Sequence, residues 1–360
     1  MQGAFSVERQ LNAKTVFSVT YTQARSLHAL RTRNINAPVC PTSAVCPALL
    51  TSSQVQALRP NPATGNIYLI ESSGYSNSQL LTLNLRTTIK TKYTISGGYT
   101  LSNSKGDTDS LSSPRFSANT VGFPSYSYDT SNEYATSAFN ARHSIFLVGS
   151  AQLPWGFRAN TIIIGSTGRR FNITSGVDSN YDSLFFDRPT FSAVNDKCNQ
   201  LGLTNSFCDI SGISNPDTTI IPRNYGKGPG SFVVNLNLSK SFGFGGKKAA
   251  TAGTQGGQGD GGNRGGGSGN RGGGAPQMVM MGGGGGGGMF GGGDGRNPYN
   301  LTFGINIQNL FNTVNLSSPV GSLTSPSFGR SRSTGGGFNF FGGGGGSANR
   351  RADLSVRFSW

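Results

Sequence analysis

The sequence predicts an all-β fold, an antiparallel transmembrane β-barrel segment of about nine to ten strands interrupted by long glycine-rich insertions. Three observations carry that expectation. The last nine residues alternate without a break, with Ala352, Leu354, Val356, Phe358 and Trp360 on one face and Asp353, Ser355, Arg357 and Ser359 on the other. Successive side chains of a strand emerge on opposite faces, and about nine to eleven residues let a tilted strand cross a bilayer. The same two-residue rhythm recurs along the chain. The connections between alternating segments are short and long by turns, as in barrels with tight periplasmic turns and large external loops.

In chain order, Val16–Gln23 sets Phe17, Val19 and Tyr21 against Ser18 and Thr20. Leu81–Ile89 sets Leu81, Leu83 and Leu85 against Thr82, Asn84 and Arg86, and Tyr93–Leu101 aligns Tyr93, Ile95, Tyr99 and Leu101. Ile145–Leu153 turns at Pro154-Trp155-Gly156 into Phe157–Gly165. Phe232–Phe242 sets Phe232, Val234, Leu236 and Leu238 against Asn235, Asn237, Ser239 and Ser241. Leu301–Asn309 alternates in the same way before the terminal strand. A row of Asn, Ser, Thr and Gln opposite the apolar row suits a hydrated lumen better than a packed core. A soluble β-sandwich inverts that logic.

Counting back from Trp360 at the periplasmic side, residues 312–350, 166–230, 102–140 and 22–79 are external connections. The turns at 154–156, 90–92 and 11–14 are periplasmic. Gly65–Ile70 is an apolar run inside an external connection and is expected to be a loop hairpin strand. The chain divides into strands and loops over 1–242, a low-complexity insertion over 243–298, and C-terminal strands over 299–360 with an external loop at 312–350. Glycine density in 243–297 and 335–347 is expected to leave both tracts disordered.

No run approaches the roughly eighteen apolar residues of a membrane helix. Met1 is followed by neither a basic stretch nor an apolar one, so no secretory signal is read there. Because a barrel must be exported, the chain is expected to be a fragment with its natural start upstream. The net charge of +15 invites a nucleic-acid reading. The Lys and Arg residues are scattered, however, which suits a lumen lining and anionic lipid headgroups. Arg-Gly-Gly elements near Arg264 and Arg271 resemble RNA-binding segments but lack interleaved aromatics, and a flexible spacer is the simpler reading; no nucleic-acid partner is expected.

Cys40/Cys46 and Cys198/Cys208 are close pairs in polar connections, which suggests disulfides in an oxidising compartment; free loop thiols and a zinc site are the alternatives. His28 and His143 have no partner pattern for nucleophilic catalysis, so no enzyme activity and no cofactor are expected. Asp178, Asn180 and Asp182 have the 1-3-5 oxygen spacing of a calcium loop. Ser183 stands where such a loop needs Gly and Pro189 where it needs Glu, and an Asx-turn scaffold explains the string equally. Asn34, Asn36, Tyr75, Tyr126, Tyr128, Tyr134 and Tyr181 are loop residues of the kind that contact sugars or peptides.

An ordered series of strings runs through most of the chain. It comprises Arg142-His143, Leu153-Pro154-Trp155-Gly156, Phe171-Asn172-Ile173-Thr174-Ser175-Gly176 with Asp187-Arg188-Pro189, and Asn224-Tyr225-Gly226-Lys227-Gly228-Pro229-Gly230. It ends with Asn309-Leu310-Phe311-Asn312, then Ser325-Pro326-Ser327-Phe328-Gly329 and the terminal strand. The series resembles the C-terminal half of the barrel of TonB-dependent outer-membrane receptors, most closely the Oar-like group with a carboxypeptidase-regulatory-like domain. The resemblance implies a barrel of about 22 strands around a plug domain, uptake driven by the TonB complex, and a bacterial outer-membrane location in contact with its lipid. It also implies that Val356, Phe358 and Trp360 are read by the assembly machinery. The cargo would be an oligosaccharide, a peptide or a chelated metal. A structural barrel or surface adhesin without active transport is the alternative, and a soluble RNA-binding protein a third.

Overall fold

The computed structural model describes residues 1–40, 46, 50–109, 123–245, 299–335 and 349–360. Its elements are β1 (Gln2–Asn12), β2 (Thr15–Asn34), α1 (Ser52–Ala57), β3 (Tyr68–Ile89), β4 (Tyr93–Gly106), β5 (Ala135–Thr136) and β6 (His143–Gln152). After these come β7 (Phe157–Ser166), β8 (Arg170–Phe171), α2 (Phe191–Leu201), β9 (Gly226–Lys227), β10 (Ser231–Phe244), β11 (Tyr299–Gln308) and β12 (Arg351–Ser359). The sheet runs β1-β2-β3-β4-β6-β7-β10-β11-β12, all pairs antiparallel, with β5 added beside β4. β8 and β9 form a separate pair in the loops. The order is an up-and-down meander, as the alternation and the connection lengths require.

Register turns the one-dimensional rhythm into two faces. Val7, Val19, Leu83, Tyr99, Ile145, Gly165 and Phe232 fall in one row across seven strands. On the opposite face Thr88, Thr94, Ser150, Asn160, Asn237, Asn306 and Asp353 form another. The apolar face lies open, with Phe303 46% and Leu354 81% exposed. Such a face in water would demand a partner; in a bilayer, lipid is that partner. No helix among the described residues is long and apolar enough to cross a membrane.

Two expectations need correction. Gly65–Ile70 is not a separate loop hairpin: Tyr68 to Ile70 open β3 and pair with Asn34 to Thr32 at the far end of β2. The connection between these strands is therefore 35–67, and the ribbon rises well beyond the bilayer. Cross-strand ion pairs hold it there, with Glu71 accepting from Arg31 Nε at 2.7 Å and Arg33 Nη2 at 2.8 Å. The lumenal face is also not uniformly polar. Phe146, Ile164 and Val233 share an inward row, and Val148 and Ile162 share the next with Asn235.

Tight turns close one end of the sheet, with Lys90, Thr91 and Trp155 at positive φ. Phe244 pairs with Tyr299 at that same end, on either side of the 246–298 tract. Disorder is expected from Gly243, but Gly243 and Phe244 continue β10 and pair with Asn300 and Tyr299, so the insertion begins later than the 242/243 boundary. The rest of the expected disorder, 246–297 and 336–347, falls outside the described residues.

Candidate functional site: the external loop cap

The long connections do not splay outward. They fold on one another into a cap with an apolar and a polar half. The apolar half is a small core of Phe171, Ile173, Phe191, Val194, Cys198, Phe207, Cys208, Ile221 and Phe328. Its centre is α2, whose Phe191, Val194 and Cys198 recur at helical spacing on the buried side. Thr190 caps the helix by accepting from the Ala193 N–H, and Gly202 ends it at φ 63°. A disulfide joins Cys198 at the helix to Cys208 beyond it, and a second joins Cys40 to Cys46. Phe207 packs edge-on against Phe171 and Phe328, which brings the 309–350 connection onto the 167–230 connection.

The polar half joins loops far apart in sequence. Glu133, 3% exposed, accepts from Arg188 Nη2 at 2.8 Å and from the Ser125 N–H at 3.0 Å. Arg223 donates to the Glu133 carbonyl at 3.0 Å and to Asp109 at 2.7 Å. Asn66 bridges Asn34, Arg59 and the Asp182 carbonyl. Charged groups taken this far from water persist only when paired and hydrogen-bonded.

Several residues expected to meet a ligand are used internally. Asn34 and Asn36 are buried: Asn34 Oδ1 accepts from the Asn36 and Ile67 N–H groups, and Asn36 Nδ2 donates to the carbonyls of Asn61, Thr64 and Gly65. They organise the 35–67 loop and present nothing outward. Tyr181 takes the Leu50 N–H on its hydroxyl. Tyr128 donates to the Ala37 carbonyl at 2.7 Å and is 38% exposed, and Tyr134, Phe139 and Phe185 of the external connections are also exposed. Tyr75 stacks on Tyr134, and Tyr126 packs edge-on against Tyr128.

The 178–187 segment is an Asx-type scaffold. Asp178 accepts from the N–H groups of Asp182 and Ser183, and Asp182 from that of Leu184. Asn180 spans Asp182 and the Ser125 carbonyl. Among the described residues no group of three or more acidic, His or Cys side chains is placed to hold a metal ion. Burial first, then the neighbouring carboxylates, raises the Asp187 carboxyl to about 7, against the pull of the Ser179 N–H. Asp182 is likewise raised to about 6, burial being the main cause.

The string Asn309-Leu310-Phe311-Asn312 closes β11 by a specific turn. Asn309 and Asn312 both adopt positive φ, at 50° and 55°, a region where Asn is several-fold enriched. Asn309 donates its N–H to Asn235 Oδ1 and accepts the Thr313 N–H, while Asn312 accepts the Arg350 N–H at the start of the last strand. Val356 and Phe358 sit opposite Phe303 and Leu301, and Phe358 stacks on Phe244 and Tyr299 and lies tilted against Trp360. That cluster lies at the tight-turn end, where barrels carry an aromatic girdle. His143 Nδ1 lies 2.6 Å from the Tyr99 hydroxyl on the outer surface, and His28 Nδ1 lies 3.2 Å from the Ser72 carbonyl oxygen. Neither has the surroundings of a catalytic group.

A lipid-facing apolar surface, an antiparallel meander and a folded cap on the long-loop end define a barrel protein of the bacterial outer membrane. The chain belongs to the outer membrane beta barrel domain family, whose model matches residues 1–252. No curated protein matches it. Among solved structures it is similar to the outer membrane transporter YddB from Escherichia coli, at 12% identity and TM-score 0.44, over 99% of this chain and 32% of that one. It is also similar to the ferric-catecholate import receptor Fiu from E. coli K12, at 8% identity and TM-score 0.36, over 99% and 27%. The siderophore receptor PiuA from Acinetobacter baumannii matches at 10% identity and TM-score 0.36, over 99% and 28%. The chain thus spans about a third or less of each of these proteins.

Proposed function

We propose that this chain is the C-terminal barrel portion of a TonB-dependent, Oar-like receptor that captures a substrate and passes it across the outer membrane. The supporting observation is the sheet itself. Among the described residues, nine consecutive antiparallel strands of the sheet place β1 and β12 in the same direction, so they do not close by antiparallel pairing. A bilayer tolerates no open edge, and a complement of further strands from a longer chain resolves this. Within that reading the polar rows face a plug domain, and the TonB complex supplies the drive. The exposed aromatics of the cap are the capture surface, for an oligosaccharide, a peptide or a chelated metal. Val356, Phe358 and Trp360 are the assembly signal.

Photo-crosslinking in the full-length protein tests this. A photoreactive residue at Asn237 is expected to trap the plug domain, and one at Leu238 is expected to trap lipid. An Asn237 position that traps only water-soluble quencher favours an adhesin or passive barrel and removes the receptor reading.

A further inference from the structure

Above the barrel wall the pairing of β7 with β10 ends at Ser166 and Ser231, and the same two segments of chain pair again as β8 and β9. There Phe171 stands opposite Gly226, and Arg170 stands opposite Lys227. The Phe171 side is fixed. Its ring belongs to the apolar core of the cap and lies so close over Gly226 that a Cβ there would come within 2.5 Å of it. Side chains alternate along a strand, so Arg170 and Lys227 both project from the other side of the ribbon, away from that core. Directly opposed side chains have Cβ atoms about 5 Å apart, where like charges destabilise the pairing.

Neither cation has a carboxylate partner among the described residues. Arg170 Nη1 donates to the Tyr225 carbonyl at 3.1 Å, which holds the guanidinium while its other N–H groups stay without a protein acceptor among those residues. Asp209, whose charge also acts on Tyr225, accepts from the Ser211 N–H at 2.8 Å and forms no ion pair with either cation. Lys227 is exposed and Arg170 half-buried, so both are open to solvent, and the exposed Arg169 adds a third cation beside them. The surrounding chain supplies no acid: residues 134–177, 218–244 and 299–335 contain neither Asp nor Glu.

We propose that Arg170 and Lys227 form a binding site for one oxyanion, a phosphate or carboxylate group, at the foot of the external cap. The guanidinium fork takes two oxygens side by side, and the ammonium adds its charge from the facing strand. The anion turns repulsion across the ribbon into a bridge, so its binding tightens the pairing of β8 with β9. The group is either a free ion or an acidic substituent of what the cap captures.

Hydrogen exchange of the full chain folded into lipid vesicles tests this, at low ionic strength where screening is weak. The probes are inorganic phosphate, triglutamate and trigalacturonate, with galactotriose as the uncharged control. At least one anionic probe is expected to slow exchange at 169–171 and 225–228 roughly tenfold, the scale of one charge-assisted hydrogen bond. Galactotriose is expected to leave it unchanged. Phosphate acting as well as the others identifies a free ion as sufficient, and a stronger effect of the peptide or the sugar identifies an acidic group on cargo. R170Q/K227Q is expected to lose the response, Lys227→Arg to keep it, and K105Q/K197Q, which deletes two external cations elsewhere, to respond as the unmodified chain does. No slowing by any anion, or a folded R170Q/K227Q protein that still responds, overturns the proposal and leaves the receptor reading standing.

Discussion

The Arg188 guanidinium donates to the Glu133 carboxylate at 2.8 Å, with both side chains only 4% exposed, so a pair 55 residues apart in sequence clamps two external loops together. Arg223 approaches the same carboxylate at 3.9 Å and carries the clamp on to Asp109. Capture by a cap held this way would depend on a preformed surface rather than on loops ordered by the ligand.

Removing one partner of a buried ion pair costs about 3–5 kcal/mol because the other charge is left unpaired. Glu133→Gln and Arg188→Met are each expected to weaken amide-exchange protection across 123–136 and 178–190 by that amount. The double variant should lose less than the two single losses added together. Simple additivity would show that the two side chains do not act as a pair.

The sheet faces predict an asymmetry at neighbouring positions. Leu236→Arg, near the middle of the lipid face, is expected to cost about 2–4 kcal/mol, whereas Asn237→Arg on the lumenal face should be nearly silent. Denaturant titration of the full chain folded into vesicles measures both. Equal losses would mean the faces are assigned the wrong way or that neither meets lipid.

Acid should tighten the cap. Asp182 and Asp187 hold their protons to about 6 and about 7 in the folded loop, above the ordinary carboxylate range. Each therefore favours the closed loop fully below about pH 4, its pKa when the loop is open, and that contribution is lost as pH rises through the folded values. Exchange protection of 176–188 is expected to fall between pH 5 and pH 8, and Asp187→Asn should flatten the fall. Protection that rises over this interval would contradict the buried-carboxyl account.

The turn after β11 depends on backbone handedness as well as on side-chain bonds. Asn309→Gly keeps access to positive φ and loses the bonds to Thr313; Asn309→Ala loses both, and should fold less stably than Gly by about 1–2 kcal/mol. Vesicle-folded stability decides between them. An alanine variant as stable as the glycine one would remove the conformational argument.

The spanning strands were legible because a two-sided environment writes itself as a period of two, from Phe17, Val19 and Tyr21 through to Phe358 and Trp360. The rise of β2 and β3 beyond the membrane was hidden, since Arg31 and Arg33 meet Glu71 only after the chain has travelled about forty residues. Helix α2 did leave a signal, in Thr190 before Phe191, Val194 and Cys198 and in Gly202 after them. The Arg188–Glu133–Arg223 cluster left none, because charged residues in loops look alike until folding pairs them. Asn34 and Asn36 were misread for the same reason: a buried asparagine bonded to backbone and a solvated one share a sequence.

Spin labels placed one at a time from Phe232 to Phe242 test the central claim most directly, with the full chain in lipid vesicles. Oxygen dissolved in the bilayer is expected to relax labels at Phe232, Leu236, Leu238 and Phe242 more strongly, and a water-soluble nickel chelate those at Asn235, Asn237, Ser239 and Ser241. Uniform access of the chelate to every position, or maxima with a helical spacing, would contradict a lipid-facing barrel wall.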